Sequence, residues 1–341
     1  MIYLLEFLIA LLCCFSVVVS AKYFRLIDKP DGLRKKHKGE VALGGGLAIY
    51  ISVLLGGILL SIDSIVTPID ISWIFLCSSF ILCMGLIDDI KPLPVLFRLI
   101  VQVLASFGVI IFTNLYVSDF GNLFGFGNVN LGIYGIPVTI FMVVGVCNAF
   151  NMLDGMDGLV SIVSLIALGT ISFISLKVFN ISIIFLIPFI TLFVFLFFNL
   201  GILGSKWKMF LGDSGSMWIG FTLAWLLILL SQGDQKLFNP SSALFLIPLP
   251  ILDALSTFII RFRNKKPIFL PDRNHIHHIL IDFGISKQFC LLILTLLSLF
   301  SICFTLFIIK YGVADYFVFY AFIFTLVCYS LFLKFILKKI I

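Results

Sequence analysis

Charge is scarce in this 341-residue chain: Asp, Glu, Lys and Arg make up 12% of it, against 61% hydrophobic residues. A soluble chain carries roughly twice that share of charge, so an ordinary water-soluble domain is excluded. The chain also lacks the strict alternation of polar and apolar residues that a transmembrane barrel requires. The eight cysteines (Cys13, Cys14, Cys77, Cys83, Cys147, Cys290, Cys303 and Cys328) sit in apolar segments and form no CxxC. They read as small buried hydrophobes, not as metal or redox ligands. No internal repeat or low-complexity linker divides the sequence. Residues 1–341 are therefore expected to form one helical membrane domain.

What is present is a recurring apolar run of roughly 17–25 residues, long enough to cross a hydrocarbon core as a helix. Backbone polar groups find no water there, so the helix is the default spanning element. The pattern predicts about eleven transmembrane helices, near 2–21, 44–62, 71–87, 97–115, 133–150, 159–177, 181–199, 215–231, 242–260, 288–309 and 314–334. The first run carries Glu6 and no Lys or Arg at its start, while Lys22, Arg25 and Lys29 follow it. That polarity is wrong for a cleaved signal, so a retained span is expected.

Twenty of the 23 Lys and Arg residues fall on alternate loops, with only Lys177, Lys236 and Lys310 on the opposite side. The positive-inside rule then places the N-terminus in the periplasm and the C-terminus in the cytoplasm. The same inner loops hold the clusters of Asp, Asn and His. Chemistry is therefore expected where a water-soluble substrate meets a lipid.

Five stretches carry that chemistry. In GLIDDIKPLP, Asp88 and Asp89 end the third span. Neighbours on a helix point about 100° apart, so they do not form a simple acid–base pair on one face. Carboxylates at a bilayer edge need metal, Lys/Arg or water, and a helix cap beside Lys91 and Arg98 is the plainer alternative. In NAFNMLDGMDGL, Asn148, Asn151, Asp154 and Asp157 recur at every third residue. Four oxygen-bearing side chains on one stripe suit a hard cation or the polar edges of a nucleotide. In KMFLGDSGSMWIG, Asp213 opens the eighth span, where it anchors a cation that bridges phosphates or where Asp213 or Ser214 is an ordinary N-cap. In RFRNKKPIFLPDRNHIHHIL, His275, His277 and His278 stand close to Arg273. A zinc site there lacks a second ligand group; donors to a pyrophosphate fit better, and a basic loop on anionic lipid is the bland reading. In DKPDGLRKKHKGEVALGGG, the basic run anchors the chain, and Gly44, Gly45 and Gly46 are weak evidence for a ligand.

Together these stretches resemble the polyprenyl-phosphate N-acetylhexosamine-1-phosphate transferases, over roughly residues 28–290. The resemblance implies transfer of a sugar 1-phosphate from a UDP-N-acetylhexosamine to undecaprenyl phosphate. UMP leaves, with Mg²⁺ as cofactor and Mn²⁺ as a substitute. It implies a bacterial inner-membrane enzyme whose site faces the cytoplasm, with membrane lipid but no nucleic acid among its partners, and it is compatible with a homodimer. On the family pattern Asp213 and Asn151 are metal-associated. Asp157, Asn199 and Phe210 lie near the uridine, Phe210 for stacking. Arg273, His275, His277 and His278 lie near the diphosphate and sugar. Asp88 is the catalytic carboxylate, with Asp89, Asp154 and His277 counted in the catalytic set and Asn148 among the substrate contacts. N-acetylglucosamine is the first choice of sugar, for a surface polysaccharide such as O-antigen, and a 6-deoxy-N-acetylhexosamine is the alternative. A transporter or a lipid-linked-sugar binder is the reading outside this class. Two departures stand out. Pro92 replaces the family's third acidic residue, and Ala42 replaces the proline usual before the early glycines.

Overall fold

The structure, a computed structural model, describes residues 2–29, 39–62, 69–177, 179–233, 236–265 and 274–340. It is almost wholly helical. Helix α1 (Ile2–Ser20) leads to a short antiparallel pair, β1 (Ile27–Asp28) and β2 (Val41–Ala42). Then follow α2 (Gly45–Ile62), α3 (Ile69–Ile90), α4 (Val95–Thr113), α5 (Gly135–Leu153), α6 (Leu159–Ile174), α7 (Phe179–Asn199) and α8 (Gly212–Ser231). The chain ends with α9 (Pro240–Leu246), α10 (Pro248–Arg263), α11 (Ile276–Asp282), α12 (Lys287–Tyr311) and α13 (Asp315–Ile340).

All eleven expected apolar segments fall on helices. Seven helices (α1, α3, α4, α5, α8, α12 and α13) are long and apolar enough to cross a membrane. Three more, in α2, α6 and α7, are apolar but shorter. The ninth expected span is not one straight helix: α9 and α10 meet at 90°. The cause is local. Ile247 precedes Pro248 and is pushed out of the helical region, to φ −133° and ψ 53°, as a residue before proline usually is. Pro248 and Pro250 also lack the N–H groups that would continue α9.

The core is built around α8, of which 89% is buried, against 17–39% for the other six long helices. It packs against α3, α5 and α2. The close fit with α3 needs a residue without a side chain. A Cβ at Gly85 would overlap the backbone of Ser214, so the end of α3 lies directly on the start of α8. Phe150, Phe221 and Trp225 fill the space around α8. Large apolar side chains such as Leu12, Phe80, Phe141 and Phe300 point outward, as lipid-facing residues do.

Candidate functional site

One end of the bundle gathers the end of α3, the start of α4, the end of α5, the start of α8, and α11. Asp88 and Asp89 occupy the last turn of α3 and diverge, as the helical angle between neighbours predicts. Asp88 is buried and turns toward α4. Its Oδ1 accepts from Leu93 N at 2.5 Å and its Oδ2 from Arg98 Nη1 at 2.9 Å. Asp89 turns toward α8, where it accepts from Asp213 N at 2.8 Å, Ser214 N at 3.2 Å and Ser214 Oγ at 2.7 Å. It thus takes up orphan amides of the first turn of α8. Asp213 does not cap its own helix; Asp89 supplies that service from α3.

Asp213 is thereby left facing the space beside α5. Asn151 Nδ2 donates to Asp213 Oδ1 at 2.9 Å and to Ser216 Oγ at 3.1 Å. This leaves the Asn151 carbonyl oxygen without a protein donor among the described residues. Arg98 Nη1 stands 3.7 Å from Asp213 Oδ2, so one guanidinium spans Asp88 and Asp213. The Asp154 N–H donates to Asn151 O at 3.3 Å, but its carboxylate has no hydrogen-bond or ion-pair partner among the described residues. Its carboxyl is pushed well above the usual carboxylate range, first by burial and then by the charges of Asp213, Asp89 and Asp157. No three His, Cys, Asp or Glu side chains among the described residues form a ready ligand set. Even so, the surplus of negative charge and the oxygen-only donors suit a hard divalent cation held by one or two side chains, with water and phosphate completing its shell.

The stripe expected from NAFNMLDGMDGL is only half helical. Helix α5 stops at Leu153, Asp154 takes non-helical dihedrals, and Gly158 at φ +81° turns the chain into α6. Asp157 therefore lies in the turn, where Lys208 Nζ reaches its Oδ2 at 2.6 Å. The same ammonium is 5.2 Å from the centre of the Phe210 ring. Asn199 is buried behind this group. Its Oδ1 accepts from Gly158 N at 2.6 Å, and its Nδ2 donates to Met209 O at 3.0 Å. It thus fixes the turn that carries Asp157 and the strand-like segment that carries Phe210. That segment is joined in turn to the start of α2: Phe210 N donates to Ala42 O, and Gly45 N donates to Phe210 O. The early glycines thus seat α2 on this segment.

The histidines approach from the other side. A Cβ at Gly155 would collide with the His277 ring, so that fully buried imidazole rests directly on the turn beside Asp154. His278 packs against His277 with ring centres 4.2 Å apart, and the His275 ring lies parallel to that of His277 at 6.1 Å. Arg273 lies outside the described residues. Asn148 is drawn elsewhere: its Nδ2 donates to Gln102 Oε1 and to Val144 O, both at 2.7 Å, within the α4–α5 contact.

The sequence placed Arg98 only as a neighbour of the acidic pair and Ser214 only as a candidate cap, and it gave no role to Lys208 or Ser216. A lone arginine in the first turn of an apolar helix was the available signal for Arg98. Lys208 offered none, because its partner lies 51 residues away.

The chain matches the model of glycosyl transferase family 4 over residues 71–231. It is 32% identical over 299 residues to the undecaprenyl-phosphate alpha-N-acetylglucosaminyl 1-phosphate transferase of Escherichia coli K12, covering 85% of this chain and 78% of the relative. The proteins of the same name from Haemophilus influenzae Rd and Salmonella typhi are each 33% identical. The alignments cover 84% and 80% of this chain, and 79% and 73% of those relatives.

Proposed function

Because the chain belongs to glycosyl transferase family 4, we propose that it transfers N-acetylglucosamine 1-phosphate from UDP-N-acetylglucosamine to undecaprenyl phosphate, releasing UMP. The observation that carries this reading to the residues is the meeting of two half-sites at one end of an apolar bundle. One is the acidic group Asp88, Asp89, Asn151, Asp154 and Asp213, with Arg98. The other is Asp157, Lys208 and Phe210, offering a ring face and charge for a nucleoside. A soluble donor and a lipid acceptor need such a place, at the boundary between water and hydrocarbon.

In this reading the seven long helices, the bent α9–α10 pair and the three shorter apolar helices make eleven crossings. The Lys/Arg-rich loops set the site on the cytoplasmic face of the bacterial inner membrane. Asp213 and Asn151 would hold Mg²⁺, or Mn²⁺ in its place. When bound, the ion neutralises charge on the donor's diphosphate.

The chain's own residues supply the rest. A phosphate monoester has a second pKa near ~6, so the acceptor is already largely dianionic at neutral pH. The difficulty is to bring that dianion to a diphosphate beside several carboxylates. Arg98 and Lys208 offset the repulsion, and positioning supplies much of the remainder. Asp88, held from both sides by Leu93 N and Arg98, orients the acceptor oxygen and takes any remaining proton. The step is one in-line displacement. A bond forms from the lipid phosphate oxygen to the sugar-linked phosphorus, and the bond from that phosphorus to the UMP oxygen breaks.

The test is UMP release by the purified protein with both substrates and Mg²⁺. Release that needs the lipid phosphate is expected; no release, or release without the lipid, overturns the reading. A donor panel fixes the sugar, and a phosphorylated Asp88 trapped on rapid quench overturns the single displacement.

A further inference from the structure

One deeply buried carboxylate lies beside the histidines, outside the acidic cluster. Asp253, in α10, is 1% exposed and has three partners. Its Oδ2 is 2.7 Å from His275 Nδ1. Its Oδ1 accepts from Ile276 N at 2.8 Å and from Tyr329 Oη at 3.0 Å. One side chain therefore ties α10 to the start of α11 and to α13, a helix beyond the motif-bearing part of the sequence.

A buried anion is costly unless it is paired, and among the described residues His275 is the only partner of Asp253 that can carry positive charge. Nδ1 is thus committed to Asp253 as a donor, which leaves Nε2 without a protein partner among the described residues. The ring is also parallel to that of His277, which lies against Gly155 at the acidic cluster.

We propose that Asp253 is a positioning residue for the transfer: it fixes the His275 ring by accepting from Nδ1–H, so that Nε2–H of the protonated ring is the donor aimed at an anionic oxygen of the donor's diphosphate. This rests on the transferase reading above. Once the diphosphate is bound, the carboxylate stabilises the imidazolium, and both ring nitrogens act as donors. Tyr329 and the amide of Ile276 hold the carboxylate so that its second oxygen faces the ring. The arrangement follows the general rule that an orienting carboxylate sets tautomer and direction for a working histidine.

The experiment compares Asp253→Asn, His275→Ala and the double variant with wild-type protein, by UMP release and by thermal unfolding in detergent. Asn keeps an oxygen for Ile276 N and Tyr329 Oη, but turns an NH₂ toward Nδ1. Nδ1 must then accept, which holds the ring neutral, and the charged ring that meets the diphosphate loses its partner. Asp253→Asn should unfold close to wild type while kcat falls by roughly 10- to 100-fold, with a smaller change in KM. In the His275→Ala background the same substitution should add less than about a twofold loss, because residues acting as a unit are not additive. The His275 ring nitrogens, observed by NMR on isotope-labelled histidine, should change protonation pattern in Asp253→Asn. A wild-type kcat in Asp253→Asn, or an equal loss with and without His275, overturns the proposal. Unchanged ring nitrogens overturn it too. If wild-type protein releases no UMP, the transferase reading fails, and the NMR comparison still decides whether Asp253 sets the state of His275.

Discussion

Arg98 and Asp88 form an ion pair of 2.9 Å in which the carboxylate side chain is only 4% exposed and the guanidinium 24%. Breaking a buried pair by removing one partner costs roughly 3–5 kcal/mol, and the partial exposure of Arg98 places this case at the lower end. Arg98→Ala is therefore expected to lower the unfolding midpoint in detergent and to abolish transfer. Arg98→Lys keeps the charge but not the planar fork, so it should restore stability more than activity. Full activity in Arg98→Ala would show that the guanidinium is a structural brace only.

Asp89 holds the start of α8 in place. Its carboxylate satisfies the amides of Asp213 and Ser214 and the Ser214 hydroxyl. Asp89→Ala leaves these donors without a partner, at about 1–3 kcal/mol for a lost buried acceptor, and frees the start of α8 to move. Loss of stability and activity together is expected, with Asp89→Asn intermediate in both. An Asp89→Ala protein that unfolds like wild type yet cannot transfer would make Asp89 a participant in the chemistry instead.

Asp213 and Asn151 are the proposed cation ligands, and metal withdrawal tests them. Chelation with EDTA should stop UMP release, and added Mg²⁺ or Mn²⁺ should restore it. Removing a ligand of an ion worth several kcal/mol should lower kcat in Asp213→Ala by about two orders of magnitude or more. Titration with Mg²⁺ is the check. Near wild-type turnover in Asp213→Ala removes it from the ligand set.

Asp154 links the same cluster to pH. Its carboxyl is raised in the folded protein by burial and by three neighbouring acids. A group of this kind contributes stability that is complete below its unfolded value, near ~3.9, and lost as pH rises through the folded value. In EDTA the unfolding midpoint should therefore fall as pH rises above that unfolded value. Asp154→Asn, which cannot ionise, should flatten the slope and raise the midpoint at high pH. Added Mg²⁺ should narrow the difference by offsetting the neighbouring charge. An unchanged slope in Asp154→Asn rules out Asp154 as its source.

Much of the architecture was legible because long apolar runs have so few solutions in hydrocarbon: every expected segment falls on helix, within a few residues at its ends, the ninth on two. The break at Ile247 was carried by Pro248 and Pro250, but the apolar run on both sides concealed it. Site residues were legible as chemistry and not as geometry. Asp88 and Asp89 were seen to diverge, since that follows from helical angle alone. That Asp89 serves α8 depends on Gly85 admitting the Ser214 backbone, a contact across about 130 residues. Asp253 and His275 are 22 residues apart with residues 266–273 between them, so no helical spacing relates them. Asn148 belongs to the stripe by spacing, but its hydrogen bond to Gln102, 46 residues away, was not legible from that spacing.

Phe210 provides the sharpest separation of binding from chemistry. Its backbone is fixed on both sides by Ala42 and Gly45, and its ring carries Lys208 at 5.2 Å, so the ring can be removed without loosening the segment. Stacking a base on an aromatic ring is worth about 1–3 kcal/mol. Phe210→Ala should therefore raise the KM for the UDP-sugar by on the order of tenfold or more, while kcat at saturating donor changes little. Phe210→Tyr or Phe210→Trp should recover the affinity, since either offers a ring face. Lys208→Ala differs in kind: it leaves the ring but frees the Asp157 carboxylate to repel the diphosphate. It should lower kcat as well as affinity, with a dependence on salt that Phe210→Ala lacks. If Phe210→Ala leaves KM for the donor unchanged, the uridine lies elsewhere, and Asp157 with Lys208 becomes an ion pair that serves the turn alone.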